Sequence, residues 1–382
     1  MGNTQSSFSA SKILSNTNSK MLSILFNKNP FQFIHYITNR CNAKCEHCFY
    51  WEKLNKGKQL SIDEIIKITE SMGKIYQLIL TGGEPFLRED IVEIVKAYYK
   101  NNKIQSLNIP TNGILMERIV ERCKEILKIC PNINFSLNLS IDGFKELHDE
   151  IRGVDGCYEN AINVFKETVK LKEKYSRFNV TFLTTLTGHN QHEILKLYKF
   201  IKEELKANLF QLNFLRGKPK KINLSSADFN IYREVNEQSF NNYKVTGGSP
   251  CFIKIKSWLR NRLNRARYNR IIETASYNKF ITPCYAGYLN AVMYEDGDVF
   301  PCELLDQKIG NIRDFDYDFG ALWNSEKNKR IRSFIKDTKC FCTHECFLTT
   351  NILFNPKQVL KMLLVKSENG KSISTNIKCV NS

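Results

Sequence analysis

Between residues 31 and 215 the chain alternates six times between a short apolar run and a longer segment with helical spacing, and no other feature constrains its fold as much. Phe31–Thr38 is a β-rich run, and Ser61-Ile62-Asp63-Glu64 reads as a capping box, with Ile62, Ile65, Ile66 and Thr69 on one helical face. Ile75–Leu80 is a second strand, closed by Thr81-Gly82-Gly83-Glu84-Pro85, and Ile91, Ile94, Val95 and Tyr98 mark the next helix. Strands ending at Pro110 and Ile141 lead into Thr111-Asn112-Gly113 and Asp142-Gly143. Helices are predicted at 114–130, 158–175 and 192–205, and strands at 178–186 and 208–215. This alternation predicts an α/β fold whose parallel sheet curls into a partial (β/α)6 barrel of the TIM type. The polar and Gly-rich motifs all follow strands, so they gather at the C-terminal face of the sheet, where such barrels carry active sites.

Beyond residue 222 the pattern changes. Ser225–Asn242 and Cys251–Thr274 read as helices, the second opened by Ser249-Pro250 as cap and first-turn proline. Residues 284–349 read as a small unit of hairpin and helix rich in cysteine. The predicted organisation is a flexible tail over 1–29, the barrel over 30–222, a basic helical connector over 223–283, a cysteine module over 284–350 and a loose tail over 351–382. Met1-Gly2-Asn3-Thr4-Gln5-Ser6 fits the N-myristoylation pattern. No stretch approaches the ~20 consecutive apolar residues that span a bilayer.

Eight of the 13 cysteines fall into two groups: Cys41, Cys45 and Cys48, then Cys284, Cys302, Cys340, Cys342 and Cys346. With no secretory signal before them, clustered thiols predict metal ligands in a reducing, cytoplasmic setting rather than a disulfide framework. Cys41-Asn42-Ala43-Lys44-Cys45-Glu46-His47-Cys48 supplies three thiolates from a loop leaving a strand. Three is one too few for a closed tetrahedral site or a fully ligated cubane, and a [4Fe–4S] cluster on three cysteines leaves one iron open. The alternative is structural zinc on the three cysteines and His47, which this spacing suits poorly.

Cys41, Cys45 and Cys48, with the motifs at the next strand ends, resemble the radical S-adenosylmethionine (radical SAM) superfamily, whose hallmark is CxxxCxxC after the first barrel strand. The resemblance covers roughly residues 30–350. Gly82-Gly83-Glu84-Pro85 is similar to the family's GGEP motif, which holds the SAM methionine amino group through backbone atoms, the glycines permitting close approach. By the same resemblance Thr111, Asn112, Ser140 and Asp142 would line the SAM pocket, and Arg152 would face the SAM carboxylate. The implied activity is reductive cleavage of SAM to methionine and a 5′-deoxyadenosyl radical, which abstracts a hydrogen atom, with the cluster fed by a donor such as flavodoxin or ferredoxin.

Cys284, Gly297 and Cys302 match the opening of the SPASM and twitch extensions of that superfamily, with the hairpin turn at Glu295-Asp296-Gly297-Asp298 bringing two thiolates together. The continuation, Cys340-Phe341-Cys342 and Cys346, departs from the full SPASM formula. One auxiliary [4Fe–4S] cluster is therefore expected, on Cys284, Cys302, Cys342 and Cys346 with Cys340 as the competing ligand, and a zinc mini-domain is the alternative. Cys123 and Cys130 share one predicted helix and read as core residues, while Cys157, Cys251 and Cys379 have no partners at ligand spacing.

The net charge of +17 points to anionic partners or to a solvated basic surface. Arg216, Lys218, Lys220 and Lys221 follow the sixth strand at the barrel mouth. Lys254, Lys256, Arg260, Arg262, Arg265, Arg267 and Arg270 load one helix, with no acidic residue from 238 to 272. Trp258 and Tyr268 are interleaved there, yet no RNA-binding module accompanies them, so an anionic ligand or a membrane-surface contact is favoured over specific nucleic acid. The function expected is a radical SAM enzyme acting on a peptide or a small anionic sugar, nucleotide or phosphorylated substrate. The alternative is a metal-stapled, non-catalytic protein that binds RNA or lipid.

Overall fold

The structure, a computed structural model, describes residues 29–221, 224, 227–241 and 251–364. Its core is one sheet of nine strands in the order β6-β5-β4-β3-β2-β1-β7-β8-β9. The strands are β1 (Gln32–Thr38), β2 (Gln77–Gly82), β3 (Ser106–Thr111), β4 (Asn134–Ser140), β5 (Phe178–Leu186), β6 (Leu209–Phe214), β7 (Asn290–Met293), β8 (Asp298–Phe300) and β9 (Gly310–Asn311). Neighbours from β1 to β6 pair in parallel with helices between them, which is the partial barrel read from the alternation. The capping box forms as predicted: Ser61 Oγ accepts from the Glu64 amide and Glu64 accepts from the Ser61 amide. Phe33, Leu78, Leu107, Leu137 and Phe182 are fully buried, each burial contributing about 1.5–3 kcal/mol.

The cysteine module shares the barrel's sheet. β7 pairs in parallel with β1, from Gln32↔Asn290 to His35↔Met293, so the module's hairpin extends the barrel sheet. All seven residues of β1 are buried as a result. Four residues make β7 too short to show a period, which hid this pairing.

Other differences have local causes. The helix Lys145–Arg152 escaped prediction because three of its four buried residues are polar or charged: His148, Asp149 and Arg152 beside Ile151. The helix expected over 158–175 divides into Cys157–Val169 and Leu171–Lys174. The C-terminal tail is ordered at its start: Glu345–Leu353 and Pro356–Leu364 are helices, and the latter runs antiparallel to the helix Cys251–Tyr277. Arg270 Nε donates to Gln358 and Arg262 Nη1 to the Met362 and Leu363 carbonyls, which fixes that direction. Cys123 and Cys130 are core residues as expected, and Cys157 is buried too. The N-terminal pattern around Gly2, the Ser249-Pro250 cap, the side chain of Cys251, and Cys379 lie outside the described residues.

Candidate active site

The loop after β1 carries Cys41, Cys45 and Cys48 and is clamped by backbone bonds on two sides. Lys44 N and Glu46 N donate to the carbonyls of Arg152 and Ile151, while Lys220 N and Lys221 N donate to those of Cys48 and Glu46. The end of β2 lies directly against this loop: Gly83 N donates to Thr38 O and Glu84 N to Arg40 O, both at 2.8 Å. A Cβ on Gly82 would stand 2.1 Å from Thr38 O, one on Gly83 would stand 2.1 Å from Arg40 O, and Gly82 has φ +131°. The glycines are thus required by protein–protein approach, a constraint additional to the one expected from ligand binding.

The three cysteines share a cavity of about 200 Å³ with Gly83, Glu84, Thr111, Asn112, Ser140 and Arg152. Most of the residues singled out in sequence therefore meet at one place, at the C-terminal ends of β2, β3 and β4. Gly82, Pro85 and Asp142 do not line it. Pro85 opens a buried turn over Pro85–Leu87, and Asp142 is wholly buried behind Arg152. Arg152 Nη2 lies 2.5 Å from Asp142 Oδ2, and Thr185 N donates to Asp142 Oδ1 at 2.9 Å. Burial alone would raise the Asp142 carboxyl, but the Arg152 charge overrides it and holds the group ionised, below its ordinary value. Asp142 thus stands behind Arg152 rather than in the cavity lining. Arg152 Nη1 in turn reaches Cys45 Sγ at 3.5 Å.

Glu84 is buried and accepts from Thr111 Oγ1 and Asn112 N at 2.8 Å and from Phe86 N at 3.2 Å. Burial outweighs these bonds and pushes its carboxyl up to about 7. His47 lines the cavity, 4.0 Å from Asp142 Oδ2, and burial lowers its pKa. Thr185 and Asn213, at the ends of β5 and β6, complete the ring together with Phe214 and Arg216. Sequence reasoning stopped at the fourth strand end, although the signal of a polar residue closing each strand continues through Thr185 and Asn213.

Arg216 departs most from its predicted role. Its guanidinium turns inward, over the Phe49 ring, and Nη1 lies 3.8 Å from both Glu303 and Glu345. It donates to His344 Nδ1 at 3.2 Å, while His344 Nε2 and the Tyr36 hydroxyl donate to Glu303. Burial pushes Glu303 up, but Arg216 and His344 prevail and hold its carboxyl at about 2. This polar seam ties β1 and the segment after β6 to the C-terminal module. The rest of the basic mouth is modest: Lys221 pairs with Glu46 at 2.8 Å, Lys220 Nζ lies 3.5 Å from Lys44 O, and Lys218 is exposed.

In the C-terminal module the turn at Gly297, with φ +91°, closes the β7–β8 hairpin between Cys284 and Cys302. Cys342 lies within electrostatic reach of Cys284, Cys302 and Cys340, and Cys302 within reach of Cys284 and Cys340. The charged neighbours of Cys346 are instead Arg216, Glu345, Glu303 and Arg267. Cys340 therefore competes with Cys346 for the fourth position beside Cys284, Cys302 and Cys342, as the spacing implied.

The Radical SAM superfamily model matches residues 35–201, and the SPASM model, an iron-sulfur cluster-binding domain, matches residues 284–347. The chain is a radical SAM enzyme with a C-terminal SPASM domain. It is 26% identical over 329 residues to a cysteine-type anaerobic sulfatase-maturating enzyme of Clostridium novyi, covering 79% of this chain and 82% of that one. It is 28% identical over 310 residues to an AdoMet-dependent heme synthase of Methanosarcina barkeri, covering 78% and 83%. The fold resembles anSMEcpe solved with AdoMet and a peptide, with TM-score 0.54 at 22% identity, covering 80% of this chain and 83% of that one. It also resembles SuiB of Streptococcus suis bound to S-adenosylmethionine, with TM-score 0.54 at 19% identity, covering 87% and 74%.

The cofactors of this radical SAM enzyme are SAM and two [4Fe–4S] clusters, one in each domain, and the residues present fit them. Burial pushes the Cys41 thiol up to about 12 and Cys48 to about 11, so holding them as thiolates requires a cationic centre between them. Burial likewise puts Cys284 at about 11 and Cys302 and Cys342 at about 12. At the cavity, Arg152 Nε and His47 Nδ1 are buried without a hydrogen-bond partner among the described residues, which leaves polar atoms for a ligand to satisfy. When bound, the first cluster supplies the electron that splits SAM into methionine and a 5′-deoxyadenosyl radical. No helix among the described residues is long and apolar enough to cross a membrane.

Proposed function

We propose that this radical SAM enzyme abstracts a hydrogen atom from a peptide segment, its auxiliary cluster serving the bound substrate. In this reading Cys41, Cys45 and Cys48 hold the SAM-binding cluster, and Gly83, Glu84, Thr111, Asn112, Ser140 and Arg152 contact SAM. Cys284, Cys302, Cys340 and Cys342 hold the auxiliary cluster. An external one-electron donor of the flavodoxin or ferredoxin type reduces the first.

The observation that carries the peptide reading is the charge state of Arg216. It is the cation at the substrate side of the cavity, and two buried carboxylates, Glu303 and Glu345, already neutralise it. A phosphorylated metabolite would meet that pair of carboxylates with no uncompensated Arg or Lys among the described residues lining the cavity, which is costly. A peptide of neutral backbone and small side chains meets no such penalty. The sulfatase-maturating relative and the peptide-bound neighbour support the same class. The test is anaerobic turnover with SAM and reductant on a panel of Cys- and Ser-containing peptides, an iron porphyrin and nucleoside triphosphates. Peptide-dependent 5′-deoxyadenosine with a mass change in the peptide supports the reading. Turnover of the porphyrin or a nucleotide alone overturns it.

A further inference from the structure

The helices Cys251–Tyr277 and Pro356–Leu364 carry apolar side chains that the described residues leave exposed. Ile255 and Leu259 are 36% and 39% exposed, and Leu360, Leu363 and Leu364 are 58%, 37% and 69% exposed. The helices that carry them lie side by side. The two helices run antiparallel, with Arg270 at Gln358 and Arg262 at Met362 and Leu363, so Leu363 and Leu364 come beside the half of the long helix that holds Ile255 and Leu259. Trp258 lies in the same stretch, half-buried, with the Arg262 guanidinium 4.8 Å from its ring centre. Each helix places its exposed apolar residues four apart, Ile255 with Leu259 and Leu360 with Leu364. Exposed cations stand next to them at the same spacing, Lys256 with Arg260 and Lys357 with Lys361.

No acidic residue occurs from 238 to 272 or from 346 to 367, so both segments are purely cationic. Leucine and isoleucine flanked by Lys and Arg, with an aromatic at the edge, is the chemistry of a surface that lies in the interface of an anionic bilayer. We propose that this two-helix face docks the enzyme peripherally on an anionic membrane surface. Charge argues against the other occupants. The chain's own segment 365–382 carries Lys366, Lys371 and Lys378 against Glu368, so it repels the patch. A second copy related by a two-fold axis would bring like charges together.

The experiment is flotation of the reconstituted full-length enzyme with phosphatidylcholine vesicles, pure or containing roughly a third phosphatidylserine, at about 0.1 M salt. Binding to the anionic vesicles alone, weakened by added salt, is expected. Lys256→Ala with Arg260→Ala lowers partitioning roughly tenfold or more, since each surface cation contributes about fivefold. Leu360→Ser with Leu364→Ser lowers it comparably, because methylenes leave the interface. All four side chains are exposed, and circular dichroism checks that both variants keep the fold. Absence of binding to anionic vesicles, equal binding to both compositions, or wild-type partitioning of either variant overturns the proposal. Binding to polyglutamate in vesicle-free solution with no preference for vesicles assigns the face to an acidic peptide and also overturns it.

Discussion

The two cysteine groups are assembled in opposite ways. Cys41, Cys45 and Cys48 lie within eight residues of one loop, and that loop is held by backbone bonds to the helix Lys145–Arg152 and to the segment after β6. The second group is collected from the two ends of a hairpin and from the stretch before the helix Glu345–Leu353. Local assembly supplies three thiols, which would leave coordination open; non-local assembly, in the proposed ligand set, would add a fourth and close it. The open site faces a cavity lined by the SAM-motif residues, and the closed one is joined to it by the Arg216–Glu303–His344 seam. In the proposed reading the vacant iron belongs to the loop, and the cluster that serves the substrate belongs to the module.

The largest expected effect breaks the local group alone. Replacing Cys41, Cys45 and Cys48 with Ala lowers the iron of anaerobically reconstituted protein from about eight to about four per chain, because the module keeps its own thiols. It also abolishes 5′-deoxyadenosine formation. Retained enzymatic SAM cleavage in the triple variant would remove the open-site assignment.

The second effect separates ligand from neighbour in the non-local group. Cys302→Ala brings iron to about four per chain and loses product while SAM cleavage persists. Cys346→Ala keeps about eight irons, since its charged neighbours are Arg216, Glu303 and Glu345 rather than the other thiols. Iron analysis of Cys340→Ala beside Cys346→Ala decides between the two; four irons in the latter and eight in the former would restore the ligand set favoured by spacing.

These outcomes also measure what the chain discloses as a sequence. The six-strand barrel and the first thiol loop were legible because each is encoded by contiguous spacing: apolar periods, a capping box and CxxxCxxC. The attachment of β7 to β1 was not, because a four-residue strand has no period and its partner lies far away in the chain. The roles of Asp142 and Arg216 were hidden for a different reason. A motif identifies a residue type at a strand end, whereas the partner that occupies its charge, Arg152 for the one and Glu303 for the other, is set by packing.

The bracing of the open site has its own signature. Glu84 is buried with its carboxyl raised to about 7, so between its ordinary value near 4.5 and 7 the folded protein binds more protons than the unfolded chain. Stability therefore falls as pH rises through that window, by about 3 kcal/mol in all. Glu84→Gln is expected to flatten the slope, read as the denaturation midpoint at pH 5 compared with about pH 7.5. An unchanged slope in the variant would place the titration elsewhere.

The smallest effect concerns the mouth between the two regions. Lys218 is exposed, and the exposed Lys220 ammonium lies 3.5 Å from a backbone carbonyl, whereas Arg216 is half-buried and ion-paired in the seam. Exposed charges of this kind contribute about 0–1 kcal/mol and are screened over ~10 Å at 0.1 M salt. Lys218→Ala combined with Lys220→Ala is therefore expected to change KM for a peptide substrate by less than about fivefold, with SAM cleavage unaffected and little dependence on salt. The basic run after β6 had suggested a stronger role in recognising an anion, and a KM that rises tenfold or more on mutation, and with salt in the wild type, would reinstate it. In that case Arg216 could not act as a neutralised seam residue. The substrate would have to displace Glu303 or Glu345 from it, and the two thiol groups would be coupled through the substrate's charge rather than through the protein's own ion pairs.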